Sequence, residues 1–361
     1  MLSAALFLSF ALALILYPGA VQSAAGSSIS YCLTVLVPSL FPFMALACYA
    51  VESPAASALG RPLGPLVRRV FRLPGCCAAP ILMSFIGGYP AGARGASLLL
   101  EEGLVTREQA GRMMLFCVNP GLAFTVTYLG VGVFGSARVG WRLFLAVTLT
   151  AVLMGTATGL RAEAPPCTGG PEGKPKSPGA LTRSVSGAAR SVLVMCACIV
   201  LFSGFTAILH EAGIFQGAVR LLTRAGIFTP AQWAAVLSFL LEVTGGTGDA
   251  RALGVGAEFF AFGLAFGGVC VHMQVFSLFR EPPVKLPVFM LCRGVHGLLA
   301  AGCFWLMGKL LPMGAVPTMA GAFTPAVSSG GWMGGASLLL MCAAFLLIAG
   351  GGGKRGWEHG G

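Results

Sequence analysis

The chain has 361 residues, of which 56% are hydrophobic and only 10% charged, with a mean hydropathy of +0.85. Soluble domains carry roughly 25% charged residues, so this composition excludes a soluble fold of this size. The net charge of +11 raises nucleic acid as a partner, but the basic residues lie between apolar runs and form no stripe with interleaved aromatics. They read instead as charges that set membrane topology.

In chain order, apolar runs of bilayer-crossing length fall at about 3–20, 29–51, 113–134, 141–160, 190–210, 258–279, 288–311 and 332–350. The first run lacks the basic flank of a signal peptide and is expected to stay as an uncleaved helix. Two further apolar stretches, 74–100 and 231–256, are interrupted by Gly87-Gly88-Tyr89-Pro90-Ala91-Gly92 and by Gly245-Gly246-Thr247-Gly248. Glycine and proline make a continuous helix costly there, so each is expected to enter, turn and leave on one side. The predicted fold is all-α: a polytopic membrane protein of about eight transmembrane helices plus two re-entrant helical hairpins in inverted repeats.

The basic residues support this arrangement. Most of the Arg and Lys, from Arg61, Arg68, Arg69 and Arg72 to Lys354 and Arg355, fall in loops that it places in the cytoplasm, together with both termini. The expected organisation is a first helix (1–28), a half with hairpin 74–100 (29–160) and a Pro/Gly/Lys-rich cytoplasmic linker (161–189). A second half with hairpin 231–256 (190–311) and a last helix and tail (312–361) complete it. The apolar segment after Gly330 faces lipid or a second copy in a homodimer. Paired interrupted helices in corresponding positions of two inverted halves point to a binding site at mid-membrane.

In the first hairpin, breaking the helix exposes backbone N–H groups at the start of its second arm, with Arg94 one turn further on, which suits an anion. Gly88, Tyr89, Pro90 and Gly92 form the tip, and an Arg94 that only reaches the interface or pairs with an acid is the plainer alternative. The second hairpin carries Glu242, Thr244, Gly246, Thr247 and Arg251, with Asp249 as the only aspartate in the chain. Acids at membrane depth are expensive, so Glu242 and Asp249, with Arg251, are candidates for coupling or gating with a proton or sodium ion. An ion pair with Arg251 or Arg94 that merely closes the hairpin is the competing reading. Asn119 before Pro120-Gly121, and His272 and Gln274 on a later span, can offer hydrogen bonds to a ligand, while Arg293 and His296 lie one turn apart on the next.

Gly246-Thr247-Gly248-Asp249 matches the Gly-x-Gly-Asp string of intramembrane aspartyl proteases, but their chemistry needs two carboxylates sharing a proton; this chain has no second aspartate, and Glu242 replaces it only in an unusual dyad. No hydrolase elbow, zinc-protease helix or phosphate-binding loop is present, so no catalytic residue, cofactor or metal is expected. The twelve cysteines are scattered, mostly within apolar segments, and suggest neither a zinc site nor a disulfide framework.

Several strings carry a family resemblance: Pro38-Ser39-Leu40-Phe41-Pro42-Phe43, Phe71-Arg72-Leu73-Pro74-Gly75, Gly88-Tyr89-Pro90-Ala91-Gly92-Ala93-Arg94 and Phe116-Cys117-Val118-Asn119-Pro120-Gly121. Together, over about residues 1–310, they resemble the YlbJ-type sporulation integral membrane proteins of the nucleoside-recognition, or Gate, domain family. The resemblance implies a fold similar to the gate region of concentrative nucleoside transporters, in which two re-entrant hairpins enclose the substrate. It also implies residence in the outer forespore membrane, with dipicolinate as the cargo. A carrier of a small organic anion is therefore expected; a nucleoside-type carrier and a non-transporting scaffold of the spore envelope are the alternatives.

Overall fold

The computed structural model describes residues 2–52, 55–162 and 179–311, all within one of the chain's two units, Met1–Ala320. The other unit, Gly321–Gly361, lies outside the described residues, as do the expected crossing at 332–350 and most of the linker. All regular structure described is helical. It begins with α1 (Leu2–Leu16), α2 (Pro18–Tyr31), a π-helical turn Cys32–Leu36, α3 (Val37–Glu52) and α4 (Ala55–Phe71). A short turn, Gly75–Cys77, leads to α5 (Ala78–Ile86), α6 (Tyr89–Glu101), α7 (Arg107–Phe116), a π-helical stretch Ala123–Val133 and α8 (Ala137–Gly159). There follow α9 (Ala180–Glu211), α10 (Ile214–Thr223), α11 (Pro230–Leu241), α12 (Val243–Ala252), α13 (Ala257–Phe266), α14 (Gly268–Ser277) and α15 (Leu286–Leu310).

Four stretches are long and apolar enough to cross a bilayer: Ala137–Gly159, Ala180–Glu211, Ala257–Ser277 and Leu286–Leu310. Counting each of two sharply bent pairs as one span raises the number to six, so the expected eight are not reached among the described residues. The reasons are local. The run 3–20 is divided at Tyr17, where Pro18 starts a new helix and the axis bends by 92°. The run 113–134 is divided between Phe116 and Ala123, where Pro120 has no N–H to give and disfavours helical backbone at Asn119. The run 258–279 counts among the four spans although it breaks at Gly267 and Gly268, whose φ values of +88° and +75° lie in the left-handed region.

One order of elements occurs twice. A long helical run (α2–α3, then α9) precedes a short amphipathic helix (α4, then α10), a folded-back helix pair, a broken helix and a long helix (α8, then α15). Two helices at different places in this order, α7 and α11, start alike: Thr106 caps α7 with Gln109, and Thr229 caps α11 with Gln232, each pair exchanging two bonds between side chain and backbone.

The folded-back pairs are hairpins. About Gly87-Gly88, α5 and α6 lie so close that a Cβ on Gly95 would stand 2.6 Å from Pro80 Cβ, and one on Gly92 2.5 Å from Ser84 Cβ. Gly88, at φ +87°, makes the reversal and its backbone touches Gly121 at the break after α7. In the second pair a Cβ on Gly246 would stand 2.6 Å from the Phe239 ring, and Ser238 Oγ donates to Asp249 Oδ2 at 2.5 Å.

This corrects the position of the second break. The chain turns at Leu241-Glu242, and Gly245, Gly246 and Gly248 continue as helix. Gly246 serves close packing rather than reversal, because Glu242 ends one helix and caps the next. Gly92 is likewise helical, and a side chain there would collide with the Cys117 carbonyl as well as Ser84. Gly92→Ala is expected to lower stability by roughly 1–3 kcal/mol, read as a fall in melting temperature in detergent. Gly187→Ala, where no atom lies within 4 Å, is expected to leave it unchanged or raise it.

Candidate functional site

Both hairpin tips border one partly open cavity. Gly87, Gly88, Tyr89 and Pro90 come from the first tip, and Glu242, Val243 and Thr244 from the second. The break after α7 contributes Gly121, and α14 contributes Val271 and Gln274. Leu36, Leu40, Met44, Phe124, Met195 and Ile199 complete a largely apolar wall. The convergence follows from the two close backbone contacts. Gly88 lies against Gly121, and Gly268 lies against Leu241 and Glu242, so each tip is seated on the broken helix of its own half.

The two tips differ electrostatically. Glu242 is buried, and its carboxylate accepts from Thr244 N at 2.7 Å and Gly245 N at 2.6 Å. It therefore occupies the N-terminus of α12, where the dipole and free N–H groups favour negative charge. The N-terminus of α6 has no side-chain cap, and its Gly88 and Tyr89 border the cavity. One helix start is thus closed by the chain's own carboxylate, and the other is open to a ligand.

Of the residues singled out in the sequence, Gly88, Tyr89, Pro90, Glu242, Thr244 and Gln274 come together around the cavity. The others stand apart from it. Arg94 is half-buried on α6, with its Nε enclosed and unbonded, and no basic side chain lines the cavity. Asn119 turns back to its own helix end, donating from Nδ2 to the Phe116 carbonyl at 2.6 Å. Asp249 holds Ser238 across the hairpin, and Thr247 Oγ1 donates to the Thr244 carbonyl at 2.7 Å. Gly92 and Gly246 are packing positions, and Arg251 lies in the last turn of α12. His272 places Nε2 2.8 Å from the Phe266 carbonyl, between the rings of Phe266 and Phe289. Gln274 Nε2 donates to Cys270 Sγ.

Sequence reasoning missed the apolar wall, since Leu36, Met44, Met195 and Ile199 look like any lipid-facing or core residue. Glu242 as a cap carried a readable signal, a polar residue two and three positions before Thr244 and Gly245 at a helix start. Among the described residues, no group of three or more His, Cys, Asp or Glu is placed to hold a metal ion. Replacing Glu242 by Ala is expected to cost about 1–2 kcal/mol through loss of the α12 cap, measured by thermal denaturation in detergent. Arg94→Ala, which removes no hydrogen bond described here, is expected to cost less.

The chain is similar to the sporulation integral membrane protein YlbJ of Bacillus subtilis (strain 168), at 26% identity over 350 residues. The match covers 86% of this chain and 83% of that protein. No family model matches the chain, and no solved structure matches it. The Gate-domain expectation therefore rests on the motif strings alone, whereas the YlbJ resemblance extends along most of the sequence. With its apolar helices of membrane-crossing length, the chain is an integral membrane protein, all-helical among the described residues, and a homologue of YlbJ over most of both sequences.

Proposed function

We propose that the chain is a membrane carrier for a small organic solute and acts in sporulation, with the cavity between the two hairpin tips as the binding site. The observation that carries this is the meeting of both tips, with both broken helices beneath them, around a single cavity. Broken helices that converge in this way are how transporters expose helix ends to cargo while keeping backbone satisfied elsewhere. A scaffold built only for packing would pair its intramembrane charges with one another. Here Glu242 borders the cavity, its two oxygens held by backbone N–H groups, and Asp249 bonds a serine.

Dipicolinate is our leading cargo, on the YlbJ resemblance. One of its carboxylates would lie at the open start of α6, in place of the Arg94 contact anticipated from the sequence. The other would face Glu242, and two carboxylates so placed must share a proton. The carrier would accordingly move its cargo with a proton. The lack of a basic residue in the wall favours a second reading, an uncharged ring solute such as a nucleoside. In both readings the halves are related as inverted repeats, and the protein resides in the outer forespore membrane with both termini in the cytoplasm.

Uptake of labelled dipicolinate into proteoliposomes tests the reading, with unlabelled nucleoside as competitor. The expected result is saturable uptake, with Gln274→Leu and Thr244→Val raising half-saturation by up to roughly tenfold, the factor that one lost hydrogen bond of about 1.4 kcal/mol carries. Arg94→Ala should transport like the parent. Uptake no greater than in empty liposomes would remove dipicolinate as the cargo, and uptake insensitive to both wall variants would remove the cavity as its site. The inverted arrangement has its own test in a cysteine-free background. Glu102→Cys and Ala252→Cys, at the outer ends of the two hairpins, should react with an impermeant thiol reagent from opposite sides of the membrane. Reaction from one side would refute it.

A further inference from the structure

A second polar cluster, which shares Tyr89 with the cavity wall, lies at the carboxyl end of α13. A helix leaves its last four carbonyls without helical partners, and they carry the negative end of its dipole. All four are taken here. Gly263 O accepts from Gly267 N at 2.8 Å, and Leu264 O accepts from the Tyr89 hydroxyl, across the molecule, at 2.8 Å. Ala265 O accepts from Arg293 Nη2, and Phe266 O accepts from Arg293 Nε at 3.4 Å and faces His272 Nε2.

Arg293 is fully buried, at 0% exposure, and among the described residues no carboxylate stands within ion-pairing distance of it. A lone charge in such a place is expensive, and a tertiary partner must offset it. The partner here is a row of carbonyl oxygens at a half-helix end, the kind of ligand set that broken-helix transporters present to a dissolved cation. The planar fork of the guanidinium spans two successive carbonyls, which a spherical ion or an ammonium group does less well.

We propose that the carboxyl end of α13 is a cation site that the chain fills with its own guanidinium, Arg293. The site stands whether or not the cavity carries cargo. If the carrier reading holds, this helix end is closed to sodium, and any coupling ion must act elsewhere.

The test is chemical rescue, read as melting temperature in detergent, so that it does not depend on transport. Arg293→Ala should melt several degrees below the parent and regain most of that loss in millimolar guanidinium, while the parent does not shift. Urea, of similar size and shape but neutral, should restore nothing. Equal rescue by urea, or none by guanidinium, would overturn the assignment. Should the Ala variant fail to fold, Arg293→Lys and Arg293→Gln decide the matter, because both retain N–H donors and only Lys retains charge. Lys is expected to be the more stable of the two, and a Gln variant as stable as the Lys variant would leave hydrogen bonding alone as the explanation. Transport failing in the wild type while guanidinium rescues would count against the carrier and leave this site in place.

Discussion

Where no water reaches, every peptide group released by a broken helix has to find a partner within the chain, and this requirement governs the architecture. Each break is closed differently. At the first hairpin tip, Gly87 N bonds back to the Met83 carbonyl. After α7, the Asn119 amide returns to Phe116. At the second tip the Glu242 carboxylate collects two N–H groups, and at the end of α13 a tyrosine, an arginine and a histidine converge on the carbonyls. The polar residues of the interior are thus explained first as closures of backbone. Their availability to a ligand is what remains after that requirement is met, which is why most of the residues marked in the sequence do not border the cavity.

Glycine supplies the other half of the arrangement. Gly92 and Gly95 let the arms of the first hairpin touch, Gly246 and Gly263 make room for the Phe239 ring, and Gly130 and Gly140 bring the π-helical stretch against α8. Such contacts bring backbones close, a substitute for hydrophobic driving force between helices in lipid. A run of glycines consequently has two meanings in a membrane protein, reversal or intimacy, and local sequence does not separate them. Gly87-Gly88 reverses the chain, whereas Gly246 packs it.

That ambiguity marks how far the sequence could be read. Composition and apolar runs were sufficient for an all-helical membrane protein, and glycine with proline located two hairpins whose tips border one cavity. The second reversal was misplaced by a few residues, because the Glu242 cap outweighs the flexibility of the glycines that follow it. Four to six of the eight expected crossings are long and apolar enough among the described residues, since run length does not register the bend at Tyr17-Pro18 or the interruption at Asn119-Pro120. The carbonyl cluster at α13 was beyond reach for another reason. It joins Tyr89, Leu264, His272 and Arg293, and only the tertiary fold makes neighbours of positions so far apart in the chain.

The return arm of the first hairpin is fastened at two points to the other half. Tyr89 at its start bonds Leu264, and Ser97 near its end donates to the Leu278 carbonyl at 2.7 Å. Eight residues of helix separate these points by about 12 Å. A rod pinned twice over that length can neither swivel about its own axis nor hinge at either end while both pins hold. It can only travel together with α13 and α14, as one plank.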